Sequence, residues 1–147
     1  MKEQLYLLCV DYIRKKEAEI KTIIAEAQEA ANDETKSSAG DKFETGREIM
    51  QQEIDLNLTR LNELHKLKQT MEWIIPAQKS ETVQPGSLVY TNNGNYYIAI
   101  SAGLLKVDNT AYYAISSTAP IGEKMTGKKP GDQFTLNDKK YTITSIA

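Results

Sequence analysis

Met71-Glu72-Trp73-Ile74-Ile75-Pro76 marks the point at which this sequence changes its grammar, and the fold emerges from reading outward in both directions. All four prolines lie at or beyond Pro76, as do six of the eight glycines and six of the eight tyrosines. Upstream, residues 1–75 hold no proline and only Gly40 and Gly46. Proline and glycine cost a helix most, and aromatic residues favour strands. The first part therefore predicts long helices, and the second predicts strands and turns.

Upstream of the boundary, Cys9, Ile13, Lys16, Ile20, Ile23, Ala27 and Ala30 recur at alternating steps of four and three. This is a coiled-coil seam that Lys16 interrupts, with Leu5 and Leu8 adding apolar surface ahead of it. Phe43, Met50, Ile54, Leu58, Leu61, Leu64, Leu67 and Met71 form a second stripe at helical spacing. The polar run Asn32 to Gly40 between them reads as a connection. Ser37-Ser38-Ala39-Gly40-Asp41 offers N-caps for the second helix, and Asp41 suits its dipole. Two helices of about 30 residues joined by a short loop bury their stripes by folding back antiparallel, and each arm would be about 45 Å long. Residues 1–76 thus read as an antiparallel coiled-coil finger, with the Met71–Pro76 cluster docking it onto the C-terminal half of the chain. Residues 77–86 read as a polar linker bounded by Pro76 and Pro85-Gly86.

Downstream, residues 87–147 read as a small antiparallel β domain, giving an α+β chain overall. Ser87–Tyr90 and Tyr96–Ile100 flank Asn92-Asn93-Gly94-Asn95, and Asn-Gly between such runs predicts a hairpin because both residues tolerate positive φ. Further strands are predicted at Gly103–Val107, Ala111–Ile115, Gln133–Leu136 and Lys140–Ile146, with a tight turn at Asn137-Asp138 and a short helix at Pro120–Met125.

The 147 residues, 40% hydrophobic and 26% charged, describe a globular rather than a disordered chain. Apolar runs are only a few residues long, against roughly 20 for a membrane span, and the N-terminus carries acids throughout. A cytoplasmic location is expected. One cysteine, Cys9, and one histidine, His65, allow neither an internal disulfide nor a Cys/His zinc cage. Both lie in helical patterns. Cys9 reads as a small core residue and His65 as part of a solvated face, which leaves no thiol hydrolase or condensing chemistry.

Charge is unevenly distributed. Residues 26–55 carry nine acids against three bases, a net −6 around the finger's distal end. Such a run suits either a solvated helix end or a probe for a positively charged or metal-containing groove. No Lys/Arg stripe with interleaved aromatics appears, and a pI of about 5.5 opposes a phosphate-tracking surface. Sequence-specific DNA binding and membrane association are therefore not expected. Phosphate-binding glycine loops and nucleophile elbows are likewise missing from the sequence.

The segment from Ile115 to Phe134 resembles the C-terminal signature of the GreA/GreB transcript-cleavage factors, Ser-Pro-x-Gly-x-x-Leu-x-Gly-Lys-x-x-Gly-Asp. Pro120, Gly122, Met125 (in place of Leu), Gly127, Lys128, Gly131 and Asp132 match in register. Ala119 stands where the family has Ser, with Ser117 nearby. Members of that family pair a coiled-coil finger with an FKBP-like C-terminal domain. The resemblance implies a partner, bacterial RNA polymerase, with the C-terminal domain docking at the rim of the secondary channel through Ser117, Pro120, Gly122, Met125, Gly127, Lys128, Gly131 and Asp132. The finger tip would be directed at the polymerase active site.

Two tip carboxylates of the cleavage factors help hold a magnesium ion there and orient water. Here the tip departs from the family. With Phe43 at the family's Tyr, an ungapped register puts Lys36 at the Asp, Ala39 at the Glu and Gly40 at the Asn, so neither catalytic carboxylate is retained. Asp33, Glu34, Asp41 and Glu44 are the candidate tip acids that a re-spaced loop would use. The resemblance implies an accessory factor rather than an enzyme, one with no cofactor of its own and at most a magnesium ion shared with the polymerase. It would modulate elongation or pausing, with or without stimulating cleavage of backtracked RNA. The alternative is a coiled-coil adaptor that binds a different protein and has no role at polymerase.

Overall fold

The computed structural model of the chain describes residues 1–36 and 40–147, with side chains for residues 1–32 and 46–147. Helix α1 (Lys2–Lys36) and helix α2 (Gly40–Trp73) precede strands β1 (Leu88–Thr91), β2 (Gly94–Ala99), β3 (Gly103–Val107) and β4 (Thr110–Ser116). Helix α3 (Pro120–Met125) then leads to β5 (Gln133–Leu136) and β6 (Lys139–Ile146). The chain is α+β, a helical hairpin followed by a small β domain. Its contacts group into two compact units, Ile13–Leu67 on one hand and Met1–Tyr12 with Lys68–Ala147 on the other.

Within Ile13–Leu67 the helices run antiparallel, since Gln28, Ala31 and Asn32 of α1 share one cleft with Arg47, Gln51, Ile54 and Leu58 of α2. Ile13, Ala27, Ile54 and Leu64 are buried, and Lys16 is exposed. Phe43 lies outside the residues whose side chains are described; among the described residues the second stripe departs from its expected line at one position. Leu58 is 48% exposed, whereas Asn57 is only 2% exposed. Ile54, Asn57, Leu61 and Leu64 keep the three–four alternation of a coiled-coil seam, and Leu58 falls beside it. The Asn57 amide is satisfied inside its own helix. Its Nδ2 donates to the Glu53 carbonyl at 2.8 Å, and its Oδ1 accepts from Arg60 at 3.4 Å.

In the second unit the strands lie in the order β3-β4-β2-β1-β6-β5. Neighbours are antiparallel except β2 and β4, which run parallel with Tyr96 opposite Tyr113. This exception to the expected antiparallel sheet arises because β3 passes to the edge and β4 returns between β3 and β2. Two-residue turns with left-handed backbone join β3 to β4, at Asp108 and Asn109 (φ 50° and 64°), and β5 to β6, at Asn137 and Asp138 (φ 51° and 65°). The second of these is the turn read from sequence.

The Asn93-Gly94 turn differs from its expected form. Only Gly94 has positive φ, at 125°, and Asn92-Asn93 form the loop between paired Thr91 and Gly94. The Thr91 hydroxyl stabilises this arrangement, accepting from the Asn93 N–H at 3.1 Å and donating to the Gly94 carbonyl at 2.8 Å.

Val83, Val89, Tyr96, Ile98, Met125, Phe134, Tyr141 and Ile143 form one buried cluster on the α3 side of the sheet. Aromatic rings cross it, with Tyr96 stacked on Tyr113 at 5.6 Å and Phe134 on Tyr141 at 4.8 Å. Val83 lies inside the stretch read as a polar linker. Its N–H donates to the Lys128 carbonyl and its own carbonyl accepts from the Gly127 N–H, both at 2.9 Å.

Adjacent strand residues alternate faces, so Tyr97 points away from this cluster. Leu5, Cys9 and Met71 supply buried helical side chains to the unit and Ile74 adds one just past the end of α2, while Trp73 is 86% exposed. The Tyr6 hydroxyl donates to the Met71 carbonyl at 3.1 Å, and Ile74 seats over Gly86, where an added Cβ would lie 3.1 Å from its Cγ2. The Met71–Pro76 cluster thus packs into this unit through Met71 and Ile74, while Trp73 and Ile75 are exposed.

Tyr97 is fully buried, and its hydroxyl has no hydrogen-bond partner among the described residues. Burial, with Cys9 and Tyr6 nearby, pushes its ionisation up. An unpaired buried hydroxyl costs about 1–3 kcal/mol. Tyr97→Phe is therefore expected to raise stability by about 1 kcal/mol and the thermal midpoint by roughly 3 °C. A fall in the calorimetric midpoint would show that the hydroxyl has a partner.

Candidate functional site

The residues carrying the sequence signature converge on α3 and the turn after it. Ala119 is the N-cap of α3, extended at φ −64°, ψ 154°, and Pro120 opens the first turn. Proline suits that position because its missing N–H has no helical partner there. No side chain caps the helix, since Ala119 carries no oxygen. Just upstream, the Ser116 and Thr118 hydroxyls lie 2.8 Å apart, and Ser116 Oγ accepts from the Thr118 N–H at 3.2 Å. Ser117 is half-buried beside them and does not take over the cap. Ala119→Ser is expected to stabilise the chain by about 1 kcal/mol by supplying the cap. A urea midpoint that stays put would show the site cannot seat a serine cap.

Gly122 is buried against the backbone entering the helix, and a Cβ there would lie 2.1 Å from the Ser116 carbonyl oxygen. Its own carbonyl accepts twice from Thr126, from the N–H at 3.0 Å and the hydroxyl at 2.7 Å. Met125 is fully buried and belongs to the core cluster. Gly127 then turns the chain at φ 82°, a conformation that costs an L-residue with a Cβ.

Asp132 shapes the next turn. Its carboxylate accepts from the Lys129 N–H at 2.8 Å, its N–H donates to the Lys129 carbonyl at 3.0 Å, and its carbonyl accepts from Ile143 at 2.9 Å. The Gly131 N–H donates to the Ile143 carbonyl at 2.7 Å, so this turn is tied to β6.

The structure gives the eight residues of the signature different work. Gly122 and Met125 face inward. Gly127, Gly131 and Asp132 set the path of an exposed backbone. Pro120 is exposed, and Lys128 and Ser117 are half-buried. Val83 is the participant that sequence reading missed, although a lone aliphatic residue between polar neighbours was the available signal.

Asp33, Glu34, Asp41 and Glu44 lie outside the residues whose side chains are described. Among the described residues, no group of three or more His, Cys, Asp or Glu side chains is placed to hold a metal ion. The only cysteine, Cys9, is buried, and burial pushes its thiol up to about 12, far from the thiolate needed for nucleophilic chemistry. His65 is exposed. No helix among the described residues is long and apolar enough to cross a membrane. No protein-family model, curated protein or solved structure matches this chain.

Proposed function

We propose that this chain is a Gre-like regulator of bacterial RNA polymerase, docking through its β domain and presenting the connection between α1 and α2 to the secondary channel. The observation that carries this reading is the pairing of an antiparallel helical hairpin with a β domain whose Pro120–Asp132 signature forms one continuous local structure. In this reading Pro120, Ser117 and Lys128 offer the contact surface, and the buried signature residues hold it in shape. The net charge of −6 over residues 26–55 supports a role near a cationic, metal-bearing site. The ungapped tip register favours occupation of the channel over RNA cleavage.

Core polymerase pull-down and cleavage of backtracked RNA in stalled complexes test the reading. Retention on core polymerase at low salt is expected, and no retention there would overturn it. The quadruple replacement of Asp33, Glu34, Asp41 and Glu44 by Ala is expected to abolish the effect on transcription while changing polymerase affinity by less than about tenfold. An unchanged transcriptional effect would remove the acids from the mechanism.

A further inference from the structure

We propose that the free edge of β3 accepts an extended segment of another protein as an added antiparallel strand, with an acidic residue set opposite Lys106 and an apolar residue opposite Leu104. β3 is the terminal strand of the sheet and is held on one side by five consecutive pairings with β4, from Gly103↔Ala114 to Val107↔Thr110. No hydrogen bond from a described residue covers its other side. An edge strand of this kind presents a row of backbone donors and acceptors that only another extended backbone can satisfy in full. Edges are commonly blunted by proline, a bulge or several charges. This one has no proline, no register shift against β4, and a single charge.

The side chains define the occupant further. Leu104 is 51% exposed, and its cross-strand neighbour Tyr113 is 44% exposed. Tyr113 in turn stacks on the buried Tyr96, so apolar surface runs from the core out to the edge. Lys106 lies on the same face two residues along and forms no salt bridge among the described residues. A carboxylate opposite it gains a cross-strand charge pair.

A second copy of this chain fits less well. Symmetric antiparallel pairing about Leu105 places each Lys106 opposite Leu104 of the other copy and leaves both charges unpaired. A five-residue edge also falls short of the roughly 1,200 Å² that stable specific dimers bury. The occupant is thus a transiently bound acidic–apolar peptide segment. This inference stands independently of the polymerase reading.

The test is an NMR titration of the full-length 15N-labelled chain with the blocked peptide Ac-STETVTS-amide, whose Glu and Val are two positions apart. Saturable shifts of the Gly103–Val107 amides are expected. A peptide methylated on alternate backbone nitrogens should lose them, and the Glu→Lys peptide should bind about tenfold more weakly. Lys106→Glu is expected to reverse that preference, with the Glu→Lys peptide now the tighter ligand. No shifts at millimolar peptide, shifts centred on another surface, or concentration-dependent self-association through β3 in place of peptide binding would each overturn the proposal.

Discussion

Gly122→Ala is expected to lower unfolding free energy by about 3 kcal/mol, moving the urea midpoint down by roughly 1.5 M. The added methyl would meet the Ser116 carbonyl oxygen at 2.1 Å, and backbone cannot swing aside as a flexible side chain can. Relief requires α3 to lift from the end of β4. That movement disturbs the Ala119 N–H bond to the Ser116 carbonyl at 3.1 Å. Far-UV circular dichroism during urea unfolding measures the change. An unchanged midpoint would mean that the approach of α3 to β4 is looser than the 2.1 Å separation implies.

Met125→Ala is the second large effect expected, at about 3 kcal/mol, because truncating a fully buried side chain leaves a cavity in the core. Met125→Leu should cost less than about 1.5 kcal/mol, since it conserves volume. Lys128→Ala, which removes a half-buried side chain while leaving its backbone bonds to Val83 and Met125, should change stability by no more than about 0.5 kcal/mol. The three variants together separate the part of the signature that maintains α3 from the part available to a partner. If Lys128→Ala weakens retention on polymerase and Met125→Leu does not, the contact belongs to the exposed residues. The reverse result would show that the signature acts through the core.

The two helices were legible because heptad spacing and the lack of proline agree over long stretches. Asn57 shows where that reading was too coarse. Counting apolar residues selected Leu58, while the three–four geometry of the seam buries an asparagine that satisfies its amide within its own helix. In the β domain, strands and the Asn137-Asp138 turn were legible from local chemistry. The parallel partnership of β2 and β4 was not, because nothing local distinguishes a strand that pairs with its successor from one that pairs beyond it. Val83 escaped for a related reason. Its neighbours Thr82 and Gln84 are polar, and its burial comes from residues some forty-five positions away, Gly127 and Lys128. At the candidate site, the sequence pattern located the segment but could not sort inward-facing Gly122 and Met125 from exposed Pro120.

The unit containing the sheet is discontinuous along the chain, since Met1–Tyr12 joins Lys68–Ala147 with Ile13–Leu67 between them. Its interior draws Leu5 and Cys9 from one side of that excursion and Tyr97 and Tyr112 from the other. Closing so long an excursion costs entropy, and that cost falls when the intervening helices pair with each other. The antiparallel hairpin thus also acts as a short cut along the chain, leaving the two pieces of the sheet unit a smaller effective loop to close.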